Sequence, residues 1–241
     1  MARRTVGSNQ YRTRSVPSLP TPGPDLMAQA VGHTTRRLTL LERATHSQDP
    51  QELIDLSDSR QIKVRAAAYA NPNCLTSILR FAVQDRHEEV RSAAATHPVC
   101  PQDVLEQLAQ DRSLGVREAV AGNPNCSTEV LDKLALDPII PVQQAVARNP
   151  ACPPNLLHLM AGGHPQRRRA VAQNPNCPVP ILNELTQDLS WEVRAQAAAH
   201  PRCDVHDLVR LIQDPESAVR QAALGNPHCP DEYKALGQVV R

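Results

Sequence analysis

Seven cysteines recur along the chain at almost constant intervals. They are Cys74, Cys100, Cys126, Cys152, Cys177, Cys203 and Cys229, so the intervals are 26, 26, 26, 25, 26 and 26 residues. Each cysteine follows a Val-Arg-x-Ala type of segment and an Asn-Pro or His-Pro dipeptide, and it precedes a leucine-rich segment. A fixed period of this length is typical of repeat architectures, in which each unit packs against its neighbours. The chain is therefore predicted to be an array of about seven to eight similar units.

Each unit contains two short segments with helical character. In the first segment apolar residues follow the helical spacing, as in Val116, Ala119 and Val120. This segment ends before a proline, because the residue that precedes proline is disfavoured in the helical region. The second segment follows the cysteine and often has proline at its first position, as at Pro101 and Pro153. Alternation with a period of two residues is missing, so the pattern predicts an all-α solenoid without strands.

Aspartates stand where the first helix of several units is expected to begin. The Asp137-Pro138 dipeptide predicts aspartate as the N-cap and proline at the first helical position. Asp85, followed three residues later by Glu88, resembles a capping box. Helices of this length are marginal alone in water, so we expect each unit to depend on stacking against its neighbours.

The N-terminal segment differs from the repeats in composition and charge. Residues 1–40 hold six arginines and one acid, whereas residues 41–241 hold 20 basic and 24 acidic residues. Residues 1–33 lack an apolar period and are predicted to be a disordered, basic, proline-rich tail. Residues 34–241 are the predicted solenoid, with a degenerate repeat at 34–63 and repeats starting at residues 64, 90, 116, 142, 167, 193 and 219. The tail is interpreted either as an electrostatic arm or as a solvating extension.

The repeats resemble a known family. The run from Val116 to Cys126, with Val130-Leu131, Leu134-Ala135 and Asp137 after it, is similar to the leucine-rich repeat variant family of bacterial proteins. The resemblance extends from about residue 45 to residue 241. It implies a right-handed superhelix in which an α-helix alternates with a shorter helix of α or 3₁₀ type, and it implies a relation to HEAT-type solenoids.

Founding members of that family are associated with an iron–sulfur cluster held by a cysteine-rich N-terminal segment. This sequence has no cysteine before Cys74, so the cluster is not expected here. The cysteines of adjacent units are expected to lie about 8–10 Å apart, which is too far for a disulfide or a shared zinc ion. They are interpreted as buried thiols, and no metal, cofactor or catalytic residue is predicted.

A second pattern pairs aspartate with arginine six residues later. It occurs at Asp85/Arg91, Asp111/Arg117, Asp188/Arg194 and Asp214/Arg220. Six residues correspond to about 240° of helical rotation, so the two side chains of one unit do not meet on their own helix. We expect each aspartate to meet the arginine of an adjacent unit, which would give a structural ladder of ion pairs through the array.

The period breaks in the middle of the chain. The fourth unit is one residue short, has Gly163 where other units have aspartate, and has Gln143 where they have arginine. At the most exposed positions of the first helix most other units carry small residues, whereas the two central units carry long polar ones. The candidate partner-binding patch consists of Gln144, Arg148, Arg168, Arg169 and Gln173. The alternative interpretation is a solvated, irregular turn.

These patterns predict a non-enzymatic scaffold or adaptor that binds another protein or a peptide on a curved helical-repeat surface. The first alternative is a nucleic-acid-binding solenoid that uses the arginine-rich tail and the central patch. The more distant alternative is a HEAT-like enzyme of the glycosylase or bilin lyase type. Because neither a long apolar stretch nor a signal-peptide pattern is present, we expect a cytoplasmic protein, most simply a monomer, that does not bind membranes.

Overall fold

The structure, a computed structural model, describes residues 38–237, in which all regular secondary structure is α-helical. Sixteen helices in this range form eight consecutive pairs. They are α1 Leu40–His46, α2 Pro50–Ser57, α3 Ile62–Ala70, α4 Leu79–Ala82, α5 Glu88–Thr96, α6 Gln102–Leu108, α7 Leu114–Gly122, α8 Thr128–Leu134, α9 Ile140–Arg148, α10 Pro154–Ala161, α11 Pro165–Gln173, α12 Val179–Leu185, α13 Trp191–Ala199, α14 Val205–Leu211, α15 Ser217–Gly225 and α16 Asp231–Gly237. The predicted tail, residues 1–33, lies outside the described residues.

The odd-numbered helices stack on one another and form one layer, and the even-numbered helices pack along it. Most even helices contact both flanking odd helices, whereas α4 packs mainly against α5, and α10 packs mainly against α11 rather than α9. The core between them consists mainly of alanine, valine, leucine and the cysteines. For example, Val116 and Val120 of α7 are 0% exposed, as is Leu131 of α8. Small and branched side chains let neighbouring odd helices approach closely, which suits a thin core without large aromatic residues. The predicted all-α solenoid of two-helix units is confirmed.

In each odd helix from α3 to α15, the C-cap is the asparagine or histidine that precedes the proline. Asn123, which follows α7, has an extended backbone with φ −72° and ψ 122°. Proline at the next position disfavours the helical region for this residue, so the chain leaves the helix there. This prediction from the sequence is confirmed in every one of these seven units.

The predicted helix starts are wrong in detail. Helix α9 begins at Ile140 with Ile139 as its N-cap, two residues after Asp137. The Asp137 carboxylate instead accepts a hydrogen bond of 2.9 Å from the Ile139 N–H, and Asp85 accepts one of 2.9 Å from the N–H of His87. Aspartate forms such turns with the backbone two residues ahead as readily as it caps helices. The capping box of Asp85 and Glu88 is therefore not formed.

Seven buried polar residues join consecutive units at the ends of the odd helices. Asn149 donates hydrogen bonds from Nδ2 to the carbonyl oxygens of Ala121 and Asn123, at 2.6 and 2.8 Å. Its Oδ1 accepts a bond of 2.8 Å from the N–H of Ala151, which closes its own turn. Asn149 is 1% exposed. The equivalent residues are Asn71, His97, Asn123, Asn174, His200 and Asn226, none more than 4% exposed.

Histidine replaces asparagine in two of these positions and makes equivalent bonds. His97 lies with Nε2 3.2 Å from the Asn71 carbonyl oxygen, and its Nδ1 accepts a bond from the Val99 N–H. His200 makes the corresponding bonds with Asn174 and Arg202. These partners require a neutral ring that carries its proton on Nε2. Burial accordingly lowers the pKa of both imidazoles.

We predict that Asn149→Ala destabilises the array strongly. The substitution leaves two carbonyl oxygens and one N–H without their partners in a buried turn, which is expected to lower the free energy of unfolding by about 3 kcal/mol. Urea unfolding followed by circular dichroism would measure the change. The control is Asn155→Ala, an exposed asparagine at the start of α10, which should change stability by less than about 0.5 kcal/mol. Equal effects of the two substitutions would contradict a structural role for the buried amide.

We also predict a loss of stability in mild acid that depends on His97 and His200. Unfolded histidine titrates near its ordinary pKa of about 6.5, whereas in the folded chain the pKa is lower, so the unfolded state binds protons first. The contribution of these residues is therefore complete above about pH 7 and decreases as the pH falls below about 6.5. Urea midpoints measured between pH 7.5 and pH 5 would show the decrease.

The double substitution His97→Asn with His200→Asn should make the urea midpoint much less sensitive to pH in this window. Asparagine occupies the same position in five other units and carries no titratable proton. His158→Asn, which replaces an exposed histidine of α10, should retain the pH dependence of the original chain. If the double variant loses stability in acid as steeply as the original, the two buried imidazoles are not responsible.

Candidate interaction surface

A ladder of ion pairs lies at the opposite end of the odd helices, where each helix begins. Arg91 donates from Nε and Nη2 to the two carboxylate oxygens of Asp111 in the next unit, at 2.5 and 2.8 Å. Its third guanidinium nitrogen, Nη1, donates to the Asp85 carbonyl oxygen of its own unit at 2.8 Å. The same two-pronged pair joins Arg65 to Asp85, Arg117 to Asp137, Arg168 to Asp188 and Arg194 to Asp214.

Arg220, at the last rung within the described residues, donates to the carbonyl oxygens of Asp214 and Pro215 in its own unit. The other residues proposed for the ladder pair across units in the structure, as the rotation argument requires. Three further members, Arg65, Asp137 and Arg168, were not selected by the six-residue spacing, because their own units lack the second residue of the motif. The signal that finds every pair is an arginine followed 20 residues later by an aspartate.

The carboxylates of the ladder are ionised in spite of their burial. The Asp188 side chain is only 7% exposed, and that burial by itself would raise the pKa. Hydrogen bonds from the Arg168 guanidinium and from the Ser190 N–H outweigh it, so the pKa of Asp188 lies below its ordinary value. A bidentate guanidinium that satisfies both oxygens is the arrangement that makes a buried charge tolerable.

One rung of the ladder has no carboxylate. Gln143 replaces the arginine and still donates from Nε2 to the Asp137 carbonyl oxygen at 2.6 Å. Across the junction Arg167 donates from Nη1 to Gln143 Oε1 at 3.4 Å and from Nε to the Met160 carbonyl oxygen at 3.1 Å. A Cβ atom at Gly163 would lie only 1.7 Å from Nη2 of Arg167, so glycine leaves the space that this guanidinium occupies. At this rung, hydrogen bonds from the Gln143 amide and the Arg167 guanidinium take the place of the ion pair.

The patch predicted from the sequence lies on the exposed faces of α9 and α11, the two helices that this altered rung joins. Arg148 and Arg169 are exposed, and Gln144 and Gln173 are half-buried. Arg148 donates from Nε to Gln173 Oε1 at 2.6 Å, so the two helices are joined across their outer faces. Gln144 contributes a longer bond of 3.3 Å from Nε2 to the Gln166 carbonyl oxygen. The structure therefore brings these four side chains onto one surface.

Arg168 does not belong to this patch. Its guanidinium forms the two-pronged pair with Asp188 at 2.6 and 2.8 Å, and its side chain is 19% exposed. The deletion in this unit shortens the loop before α11, so that the middle arginine of Arg167-Arg168-Arg169 takes the ladder position. We name the remaining set, Gln144, Arg148, Arg169 and Gln173, the central patch.

Charge around the central patch is uneven in a way that the sequence analysis missed. Residues 138–183 contain four arginines and no acidic residue. By contrast, residues 41–137 hold 10 basic and 15 acidic residues, and residues 184–241 hold 6 basic and 9 acidic residues. Counting charged residues separately in each repeat would have revealed this segment without acidic residues. The central patch is a cationic region between two segments that both carry net negative charge.

Comparison with known proteins gives the repeats a family. The family model described as leucine rich repeat variant matches three segments, residues 88–113, 114–139 and 191–216. A solved structure described as a leucine-rich repeat variant with a novel repetitive protein structural motif is similar, with a TM-score of 0.53 and 28% sequence identity. That similarity covers 78% of this chain and 75% of the other chain. The resemblance of the repeats to the leucine-rich repeat variant family, predicted from the sequence, is confirmed. No curated protein matches the sequence.

The described part of the chain is thus an array of stacked helical pairs, three of whose repeats match the leucine rich repeat variant model. The segments matched by the family model end at residue 139 and resume at residue 191. The interval between them contains the neutral rung and the whole central patch. Of the segments that the family model leaves unmatched, the one between matched repeats therefore carries the cationic surface.

The seven cysteines of the repeats are buried free thiols. Burial raises the pKa to about 12 for Cys100, Cys152 and Cys203 and to about 11 for Cys74, Cys126 and Cys177, and it raises that of Cys229 as well. Between residues 38 and 234, histidine, cysteine and acidic side chains form no cluster able to hold a metal ion. Over the same part of the chain, no helix has the length and apolar character needed to span a bilayer.

We predict opposite outcomes for two adjacent arginines of α11. Arg168→Ala removes the partner of the buried Asp188 carboxylate and is expected to lower the free energy of unfolding by about 2–4 kcal/mol. Arg169→Ala removes an exposed charge and should change stability by less than about 0.5 kcal/mol. Urea unfolding of both variants at neutral pH measures the difference. A ranking in the reverse order would place Arg169, rather than Arg168, in the ladder.

Proposed function

We propose that this protein is a non-enzymatic scaffold that binds an acidic segment of another protein across α9 and α11. The observation that carries the proposal is the exposure of Arg148 and Arg169 on neighbouring helices within a segment that has no acidic residue. Cationic side chains on a surface attract anionic partners over several ångströms, and the flanking negative units limit that attraction to the centre of the array.

Contacts within the central patch support a role in binding. The bond from Arg148 to Gln173 holds the guanidinium over the junction of the two helices. Gln173 in turn donates from Nε2 to Gln196 Oε1 of α13 at 3.1 Å, so the polar surface continues to a third helix. Side chains that are already held in place lose less conformational entropy when a partner binds.

The non-enzymatic part of the proposal rests on how the described titratable groups are used. The ladder carboxylates are bound to guanidinium groups, and the two buried histidines bind backbone groups in the turns. The raised pKa of the cysteine thiols keeps them protonated at neutral pH, and the thiolate is the nucleophilic form. These groups therefore serve the architecture of the array.

Nucleic acid is the second candidate, since the four arginines of residues 138–183 favour any polyanion. A nucleic-acid strand carries a negative charge about every 3.4 Å, so a strand long enough to pass the central patch would also meet the acidic units on either side. A short acidic peptide segment can end within the two central units. The charge distribution thus favours a protein partner.

We predict that reversing the two exposed charges abolishes capture of the partner. In affinity capture from a cell lysate at moderate salt, at least one protein bound by the original chain should be retained at least about tenfold less by the Arg148→Glu/Arg169→Glu variant. Lys63→Glu/Lys133→Glu changes the net charge equally at exposed sites outside the central patch and should bind as the original does. Thermal unfolding by circular dichroism would verify that both variants fold.

Two results would contradict this proposal. Equal capture by both double variants would remove the central patch as the binding surface. Loss of the captured material after nuclease treatment would favour the nucleic-acid alternative, and the salt dependence of binding would then give the number of phosphate contacts.

A further inference from the structure

A row of exposed arginines lies outside the central patch, on the loops that precede the odd helices. Arg60, Arg86 and Arg112 occupy equivalent positions in three consecutive units, two residues before α3, α5 and α7. All three side chains are exposed. Within the described residues, no ion pair or side-chain hydrogen bond engages any of these guanidinium groups. They are available to bind a partner.

Two adjoining grooves separate these arginines. The larger groove, about 620 Å³, lies between Arg60 and Arg86 and is also lined by Tyr69 and Phe81. The smaller groove, about 390 Å³, lies between Arg86 and Arg112 and is also lined by Glu88 and Glu89. In the smaller groove, the negative charges of the two glutamates offset the positive charges of the arginines. The larger groove is therefore the better site for an anion.

The larger groove combines an aromatic surface with two free cations. Phe81 is 71% exposed, which is unusual for so large an apolar side chain. Arg65 and Asp85 line the same groove, but they neutralise each other in the ladder at 2.7 Å. Asp58 is the one remaining acid in its lining, against Arg60 and Arg86. The groove therefore has net positive charge around an exposed ring.

The spacing of the two arginines restricts the shape of the ligand. Equivalent positions on stacked helices lie about 8–10 Å apart. A polyproline II helix has three residues per turn and rises about 3.1 Å per residue, so residues i and i+3 lie on one side about 9 Å apart. An extended β-strand places i and i+3 on opposite sides. Polyproline II is thus the conformation that presents two carboxylates to Arg60 and Arg86 in register.

We propose that the groove between Arg60 and Arg86 binds an acidic, proline-containing peptide segment in the polyproline II conformation. Its acidic residues at i and i+3 bind the two guanidinium groups, and a proline between them packs on the ring of Phe81. Aromatic surfaces are well suited to prolines because the polyproline II helix is already ordered before it binds. This surface is distinct from the central patch and does not depend on the function proposed for that patch.

The test uses the full chain and fluorescence anisotropy of labelled peptides. The probe contains repeated Glu-Pro-Pro units, and two comparison peptides contain Lys-Pro-Pro units or the same residues with glutamates at i and i+2. The probe should bind at least about tenfold more tightly than either comparison peptide. Arg60→Glu/Arg86→Glu and Phe81→Ser should each weaken binding of the probe by about tenfold or more. All of the substituted residues are exposed, so the variants are expected to fold.

Arg148→Glu/Arg169→Glu is the matched control, because it makes the same change of charge in the central patch. It should bind the Glu-Pro-Pro probe as the original chain does. Binding that is lost in this control but retained in Arg60→Glu/Arg86→Glu would overturn the proposal and assign the peptide to the central patch. Equal affinity for the two glutamate spacings, or displacement of the probe by an equal concentration of single-stranded oligonucleotide, would also overturn it. The first result would show that the spacing of the glutamates does not matter for binding. The second would show that the groove binds anions in general.

Discussion

Hydrogen bonds between consecutive units hold this array together, and the rest of the structure depends on them. Most of the helices contain only seven to nine residues, a length at which an isolated helix is marginal in water. Each odd helix from α3 to α15 is therefore bonded to its neighbours at both ends. Two-pronged ion pairs such as Arg91–Asp111 bind its start, and buried amides such as Asn149 bind its end. The packed alanine and valine side chains lie between these two sets of bonds.

The altered rung shows which part of this arrangement is essential. Gln143 retains the bond to the Asp137 carbonyl oxygen, and Arg167 retains a bond across the junction. What has been lost is the carboxylate, because Gly163 replaces aspartate and leaves room for the Arg167 side chain. The chain thus keeps the cross-unit hydrogen bonds while it gains positive charge at this junction. This exchange removes an acid from the junction of the two helices that carry Arg148 and Arg169 without breaking the stack.

Much of this could be predicted from the sequence, since the repeat period and the proline positions determine where the odd helices end. The rotation of a helix over six residues also indicated that aspartate and arginine pair between units. The N-caps were predicted wrongly because aspartate bonds equally well to the backbone two residues ahead, as Asp137 does with Ile139. Arg168 was assigned to the surface because the fourth unit is one residue short. The sequence alone therefore does not show that Arg168 is equivalent to Arg194. The cross-unit bonds of the buried asparagines need coordinates, since the sequence indicates only that each turn contains an amide.

Packing leaves the outward positions of the odd helices free to vary, and this is why the long side chains at the centre are informative. Gly122 and Gly225 occupy the position equivalent to Arg148, and a Cβ atom at either glycine would meet nothing within 4 Å. The fold therefore accepts either a hydrogen atom or an arginine there at little cost. A long charged side chain at such a position does not fill space in the core. This freedom at the outward positions supports the binding role proposed for Arg148 and the neighbouring Arg169.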